Sequence, residues 1–185
     1  LPYRGDYEQA LVADTIGQEM AGLSLMSEAY GQEVLDDPDH VALIAHEAAH
    51  QWWGNIVMPG KGPGGNIISE GLAEFSALML LHHELGEEQG RALRRRWERE
   101  YTFGRSPDDE RPINRTDGTR PGDQVVTYNR AGFVFWMLRE TMGEEAMVAG
   151  LRGFVAKWRD GVETPEGLDF PLIEDMVESL REHAT

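Results

Sequence analysis

The sequence contains no cysteine among its 185 residues. Disulfide bonds, thiolate zinc sites and cysteine nucleophiles are therefore excluded. Any metal ion that the protein binds must be held by histidine and carboxylate side chains. The absence of cysteine does not determine the redox compartment, so a cytoplasmic and a membrane-associated parent protein are both compatible with the sequence.

Positive charge is also scarce. The chain has 17 Lys and Arg residues against 33 Asp and Glu residues, which gives a formal net charge of −16. Since nucleic-acid binding requires clustered Lys and Arg side chains, we predict no nucleic-acid partner. The one basic cluster, between Arg91 and Arg99, is interleaved with acidic residues. It is interpreted as a solvated helix face, with contact to a partner as the alternative.

Long apolar runs are missing too. No run approaches the ~20 residues of a membrane-spanning helix, so we predict no membrane segment in this chain. The start lacks the pattern of a signal peptide and is Leu1 rather than Met. We therefore expect a single domain, residues 1–185, cut from a longer parent whose neighbouring domains are missing here.

The chain does contain a β-rich start followed by helical periodicity, which predicts an α+β fold with a mostly helical body. Two strands are predicted within residues 7–30, on either side of a glycine-containing turn. Asp37 is interpreted as the N-cap and Pro38 as a first-turn residue of a helix that ends near Gly54. Further helices are predicted over residues 66–85, 87–104, 123–142, 144–160 and 171–183, with an irregular connection between residues 104 and 123.

The sequence HEAAH at positions 46–50 matches the pattern HExxH. Residues four apart share one face of a helix, so His46 and His50 can offer both imidazoles to one metal ion. Zinc lowers the pKa of a water molecule towards ~7, and the adjacent Glu47 can then take the proton. The motif therefore predicts one zinc ion per chain, with Glu47 as the catalytic base.

A catalytic zinc ion needs a third protein ligand and an open fourth position. Glu70, in SEGLAEF, follows His50 by twenty residues and is predicted to be this ligand on an antiparallel return of the chain. Glu74 lies one turn later and is expected to accept the free ring N–H of a ligand histidine. The alternative for both glutamates is a solvated helix face, in which like charges four apart are mildly destabilising.

Together, HEAAHQWWGNIV and SEGLAEF resemble the gluzincin aminopeptidases of the aminopeptidase N family, whose pattern is HExxHQWFGN followed by NEGFA. The match includes flanking residues that HExxH alone does not require, namely Gln51, Trp52, Gly54 and Asn55. Nineteen residues rather than about eighteen separate His50 from Glu70, and a glycine-rich loop easily absorbs the extra one. The resemblance covers residues 7–183 and implies a thermolysin-like zincin catalytic domain, a zinc cofactor and a peptide substrate.

Two further segments extend the resemblance. YNRAGFVFWMLRETMG is similar to the family's YxKGAxVLxMLxxxLG segment, which implies that Tyr128 stabilises the oxyanion of the transition state. The alternative is a tyrosine that packs by its ring at the start of a helix. Upstream, GQEMAGLSLMSE is similar to the family's amine-binding GAMENWG segment. It implies that Glu19 binds the substrate α-amine, with Met20 in place of the family's Asn and Glu28 as the competing carboxylate.

The resemblance implies zinc-dependent hydrolysis of peptide bonds, with release of N-terminal residues. An endopeptidase or a narrower hydrolase follows if Glu19 does not bind the amine. The competing hypothesis is a zinc-binding module without turnover, which serves as a binding part of a larger, membrane-associated protein. The presence of Glu47 argues against that module, because a purely structural zinc site has no need of a base.

Overall fold

The computed structural model describes residues 3, 5–14, 17–37 and 40–184. Its N-terminal part is a small mixed sheet of three strands, β1 (Glu8–Val12), β2 (Gly17–Met20) and β3 (Leu23–Ser27). The central strand β3 is parallel to β1 and antiparallel to β2. The sequence predicted β1 and β3 but not β2, because the short polar segment GQEM shows no apolar alternation.

The second predicted strand was too long at its C-terminal end. It stops at Ser27, whose hydroxyl accepts the backbone N–H of Tyr30 at 3.0 Å and caps helix α1 (Glu28–Asp36). A serine followed by glutamate in the first turn is a helix-start signal. Imperfect alternation across the preceding strand concealed this signal in the sequence.

The HEAAH helix, α2, is shorter than predicted and spans Ala42–Ala49. The N-cap assignment of Asp37 was wrong, because this residue ends α1 instead. The predicted first-turn residue Pro38 lies outside the described residues. Gly54 lies beyond the end of the helix, in a turn where its φ is 121°, a value that favours glycine.

The hydroxyl of Tyr30 caps the start of α2, a role that the sequence had predicted for Asp37. It accepts the backbone N–H of Leu43 at 3.0 Å and donates to the carbonyl oxygen of His40. One of the free N–H groups in the first turn of α2 is thereby satisfied by a side chain from α1. This contact connects α1 to the start of the helix that carries His46.

The rest of the chain is mostly helical, as predicted. Its longer helices are α3 (Leu72–Leu80), flanked by π-helical turns at Ile67–Gly71 and Leu81–Leu85, then α4 (Glu87–Gly104), α6 (Ala131–Met142), α7 (Glu144–Trp158) and α8 (Ile173–Arg181). A short helix α5 (Asp123–Val125) leads through a π-helical turn (Val126–Arg130) into α6. The predicted α+β class is confirmed. A hairpin of β4 (Val162–Thr164) and β5 (Gly167–Asp169) was not predicted, because three-residue strands show no period.

One apolar core lies beneath the two π-helical turns at Ile67–Gly71 and Val126–Arg130. Its most deeply buried large side chains are Ile67, Ile68, Leu72, Leu78, Trp97, Phe135, Met147, Phe154 and Met176. Gly71 allows the first turn to pack closely on the start of α6, since a Cβ at this position would lie 2.7 Å from the Cβ of Ala131. In the described part of the chain, each helix is too short or too polar to cross a bilayer.

Candidate metal centre and active-site cleft

Three side-chain donor atoms converge at the end of α2. The Nε2 atoms of His46 and His50 lie 3.1 Å apart, and each lies 3.2 Å from Oε2 of Glu70. A tetrahedral zinc site with bonds of about 2.0–2.1 Å places its donor atoms about 3.3 Å apart. The triangle formed by these three residues therefore has nearly the size that one zinc ion requires.

Backbone contacts orient His50 for this role. Its Nδ1 donates a hydrogen bond to the carbonyl oxygen of Trp53 at 2.8 Å, which leaves the Nε2 lone pair directed at the other two donors. The turn after α2 makes this contact possible. Asn55 stabilises the turn by donating its side-chain N–H to the carbonyl oxygen of His50 at 2.9 Å.

His46 has a carboxylate behind it. Its Nδ1 lies 3.5 Å from Oε1 of Glu74, on the side away from Glu70. This distance is long for a hydrogen bond, and the buried Nδ1 atom has no hydrogen-bond partner among the described residues. Glu74 is thus the nearest carboxylate to the free ring nitrogen of His46, as expected for a residue that supports a ligand.

The electrostatics of the triangle favour a cation. Burial opposes ionisation of Glu70, but hydrogen bonds from His46 and His50 lower its pKa to about 2. Burial likewise disfavours the charged form of His50, yet the hydrogen bond and negative charge of Glu70 raise its pKa to about 9. The site therefore favours a proton between the imidazole of His50 and the carboxylate of Glu70, at the position that a bound metal ion would take.

Glu47 lies beside the triangle and is 5% exposed. Burial raises its pKa, and the charges of Glu19 and Glu70 add to the increase, while those of the two histidines oppose it. The N-terminal end of β2 packs directly on this side chain, because a Cβ on Gly17 would lie 2.7 Å from Oε1 of Glu47. The result is a carboxylate with a raised proton affinity next to the candidate metal position.

Glu19, on β2, lies near the same position. A carboxylate oxygen of Glu19 lies within 4.8 Å of donor atoms of both Glu47 and His50. The competing residue Glu28 is exposed at the start of α1 and does not line the cleft. Of the two carboxylates that the sequence left open, only Glu19 is close enough to contact a substrate bound there.

Gln51 explains how the short strand β2 is held next to α2. Its side-chain N–H donates to the carbonyl oxygen of Met20 at 2.9 Å, and its Oε1 accepts the N–H of Gly22 at 2.7 Å. Both partners lie at the turn between β2 and β3. Gln51 is 2% exposed, so these bonds are shielded from water. The glutamine of the motif therefore fixes the strand that carries Glu19.

Tyr128 lies on the π-helical turn Val126–Arg130, opposite α2. Its ring stacks on that of His46, with centroids 5.8 Å apart and an angle of 17° between the planes. Burial raises the pKa of Tyr128 well above its usual value, and the charge of Glu70 adds to this effect. The phenol therefore stays protonated at neutral pH and can donate a hydrogen bond at the metal centre.

All seven residues proposed from the sequence line one cleft with a volume of about 400 Å³. The cleft also contains residues that the sequence did not indicate, namely Arg96, Trp97 and Glu100 on α4 and Gln124 on α5. No motif marks these positions. They reach the cleft only because α4 packs against the turn that carries Tyr128, through contacts such as the 2.8 Å bond from Asn129 to Glu100.

Comparison with known proteins gives a family and a set of similar folds. The family model described as Peptidase family M1 domain matches residues 21–181. The solved structure of an M1 zinc metallopeptidase from Deinococcus radiodurans is 21% identical, with a TM-score of 0.71 over 96% of this chain and 35% of that one. A mutant of the Deinococcus radiodurans enzyme bound to a Tyr-Ser-Ala substrate is 20% identical, also with a TM-score of 0.71, over 96% and 36% of the two chains.

A two-domain M1 zinc metallopeptidase mutant bound to L-tryptophan is similar as well, with 21% identity and a TM-score of 0.66. That alignment covers 96% of this chain and 39% of the solved one. The chain thus spans little more than a third of the length of these structures. No curated protein matches the sequence. Because the family model covers most of the chain, this protein belongs to peptidase family M1.

Proposed function

We propose that this protein is a zinc-dependent peptidase that releases residues from the N-terminus of peptides. The observation that carries the proposal is the triangle of His46, His50 and Glu70 with the buried carboxylate of Glu47 beside it. Membership of peptidase family M1 supports peptide hydrolysis in general and implies zinc as the cofactor. We also propose that residues 1–185 form the catalytic domain of a longer parent.

Zinc would be held by Nε2 of His46, Nε2 of His50 and Oε2 of Glu70. When bound, it supplies a Lewis acid that polarises the scissile carbonyl and lowers the pKa of water in the site. The donor set suits zinc, which prefers imidazole and carboxylate ligands in sites that lack thiolates. Three protein ligands also leave one position open, as a catalytic site requires.

Glu47 would act as the proton carrier. Its carboxylate accepts a proton from the attacking water and then delivers that proton to the nitrogen of the leaving amine. Burial raises the pKa of Glu47, which makes the carboxylate a stronger base than a solvated glutamate. Since the side chain is enclosed by β2 and α2, the proton is retained near the reacting bond instead of exchanging freely with solvent.

Tyr128 would stabilise the negative charge that develops on the substrate carbonyl oxygen. Its phenol remains protonated, because burial and nearby carboxylates raise its pKa. A neutral O–H donor aimed at a developing oxyanion acts in the transition state more than in the ground state. The stacking of its ring on His46 fixes the phenol close to the metal ligands.

Glu19 would bind the free α-amine of the substrate. A carboxylate within 4.8 Å of Glu47 and His50 sets the length of substrate that fits between it and the reacting centre. An ammonium group held there places the first peptide bond, rather than an internal one, at the metal. The proposal of an aminopeptidase rests on this contact and would become one of an endopeptidase without it.

The test combines metal analysis with turnover. Purified protein should contain about one zinc per chain and hydrolyse aminoacyl-coumarin substrates. Glu47→Gln should retain zinc but lose activity by at least two orders of magnitude, since a positioned base contributes about 10²–10⁴-fold. The matched control is Glu98→Gln on the exposed face of α4, which should keep full activity.

The exopeptidase assignment has its own test. Wild-type protein should cleave peptides with a free amine far better than N-acetylated ones, and Glu19→Gln should raise KM for the free-amine peptides. Zinc-loaded wild-type protein that is inert on both kinds of peptide would contradict the peptidase proposal. Equal cleavage of free and acetylated peptides would contradict the aminopeptidase proposal alone.

A further inference from the structure

The active-site cleft adjoins a second and larger cavity. This second cavity has a volume of about 670 Å³ and lies between α1, α4 and the start of α2. The two cavities meet at a common wall formed by Ala42, Leu43, Leu93 and Arg96. Arg96 therefore borders both the active-site cleft and the second cavity.

Arg96 lies where the two cavities adjoin, and only part of its guanidinium group is hydrogen-bonded. Its Nε donates to Oε1 of Glu100 at 2.7 Å, while its two terminal nitrogens make no hydrogen bond to the described residues. Its side chain is 60% exposed, so an incoming ligand can reach it. The terminal nitrogens form the edge that guanidinium groups use to bind carboxylates with two parallel hydrogen bonds.

The positive charge of Arg96 contrasts with the negative charge of the acidic residues that line the cleft. Among the described residues that line the cleft, it is the only Arg or Lys, whereas five are glutamates: Glu19, Glu47, Glu70, Glu74 and Glu100. One wall thus attracts the positive amine of a peptide. Arg96 provides a position in another part of the same cleft where a negative group is attracted instead.

A second arginine follows on the same wall of the larger cavity. Arg99 lies three residues after Arg96, on the same face of α4, and makes no ion pair with the described residues. The α1 side of the cavity carries Glu33. A negative ligand would therefore be repelled from α1 and held against α4.

We propose that Arg96, with Arg99 behind it, binds a carboxylate on the downstream side of the substrate peptide. This inference rests on the proposed function, because it assigns the second cavity to the part of the peptide that leaves as the shortened product. The preferred substrates would be short peptides with a free C-terminal carboxylate or with an acidic side chain soon after the cleaved bond. The amine end would lie at Glu19 and the carboxylate at Arg96.

Binding and turnover can be measured separately. Calorimetry on zinc-loaded Glu47→Gln protein should compare Ala-Ala-Ala as the free acid, the same peptide as its C-terminal amide, and Ala-Asp-Ala amide. The free acid should bind about tenfold more tightly than the amide, which corresponds to one charge-assisted contact of ~1.4 kcal/mol. Ala-Asp-Ala amide binding as tightly as the free acid would show that a side-chain carboxylate also serves.

Substitution of Arg96 should remove this discrimination. With Arg96→Gln added, the ratio of affinities for free acid and amide should fall close to one, while Arg96→Lys should retain part of it. The matched control is Arg95→Gln, on the exposed side of the same helix turn, which should leave the tenfold ratio unchanged.

Three outcomes would overturn the proposal: equal affinity for acid and amide with Arg96 intact, an unchanged ratio after Arg96→Gln, or no binding of any of these peptides. The comparison of free acid with amide needs no substitution at Arg96, so it remains a valid test even if the Arg96→Gln variant does not fold. A carboxylate preference in binding without hydrolysis by wild-type protein would contradict the proposed function but not the carboxylate site.

Discussion

The imidazole rings of His46 and His50 present their Nε2 atoms to each other at 3.1 Å, although neither ring can donate to the other while both are neutral and oriented to bind metal. Such a pair is stabilised by a cation between the nitrogens or by a proton shared with Glu70, whose Oε2 lies 3.2 Å from both Nε2 atoms. Zinc bound to the folded state alone should therefore stabilise the protein, by about 2.7 kcal/mol at a free concentration 100 times the dissociation constant.

Removal of zinc should accordingly lower the melting temperature by roughly 5–10 °C, measured by differential scanning fluorimetry with and without a chelator. Re-addition of zinc should restore it. In His50→Ala the chelator should have little effect, whereas His83→Ala, at an exposed site in the turn Leu81–Leu85 after α3, should respond like wild type. An identical melting temperature with and without chelator would contradict the proposed metal site.

Tyr128→Phe should reduce kcat by about 10²–10³-fold without loss of zinc, because it removes one donor to the developing oxyanion. KM should change little, since the O–H contact forms in the transition state. The control is Tyr101→Phe, whose hydroxyl donates to Glu110 away from the cleft. Steady-state kinetics tests this role of the Tyr128 hydroxyl. A Tyr128→Phe variant with wild-type kcat would show that Tyr128 is a packing residue only.

Gln51→Ala should act on substrate binding through β2. It removes two partly buried hydrogen bonds at the β2–β3 turn and should cost about 1–3 kcal/mol of unfolding free energy, measured with urea. It should also raise KM for free-amine substrates more than for acetylated ones, because Glu19 loses its fixed position. Gln32→Ala, on the surface of α1, should change neither quantity.

The contact between Arg111 and Asp117 should make stability depend on pH in the acid range. Hydrogen bonds from Arg111 and then from Thr119 hold the pKa of Asp117 below its usual range. A carboxylate with a depressed pKa in the folded state stabilises it above the unfolded value of about 3.9, and this contribution is lost as pH falls through the folded pKa. The free energy of unfolding of Arg111→Gln should therefore fall less between about pH 4 and pH 2 than that of the wild-type protein.

The same substitution should destabilise the protein at pH 7, because Arg111 also pairs with Asp123, whose side chain is only 3% exposed. Urea unfolding across pH measures both effects. Arg115→Gln, an exposed arginine in the same connection, is the control for loss of one positive charge. Identical pH curves for the two variants would show that the Arg111 pair contributes nothing specific.

The proximity of His46 and His50 was predictable from the sequence because their spacing follows helix geometry. His46 lies on α2, and His50 follows its last residue with helical backbone angles, so the two side chains share a face wherever the helix begins and the error at Asp37 did not affect them. The order and type of the long helices also follow from periodicity. The prediction therefore located the helices that carry the site, although it missed how α2 is capped.

The residues that complete the cleft depend on contacts between distant segments. Gln51 was noticed as part of a motif, but its function requires the strand β2, which is too short and polar to predict. Arg96 lies in a basic run that was interpreted as a solvated face. Its exposure agrees with that interpretation, yet the packing of α4 places it at a junction of two cavities that no local pattern encodes.

Both Glu70 and Tyr128 lie on turns where the helix is wider than an α-helix. Each such turn closes its hydrogen bonds between residues five apart and so holds one residue more than the regular spiral. Deleting a single residue from Ile67–Gly71 would allow this segment to close as a regular α-helical turn, which would change the directions of the side chains within it, Glu70 among them, relative to α3. The chemistry of this cleft thus depends on residue count as well as residue identity: a shortened chain that kept every histidine and glutamate would present its donors in different directions.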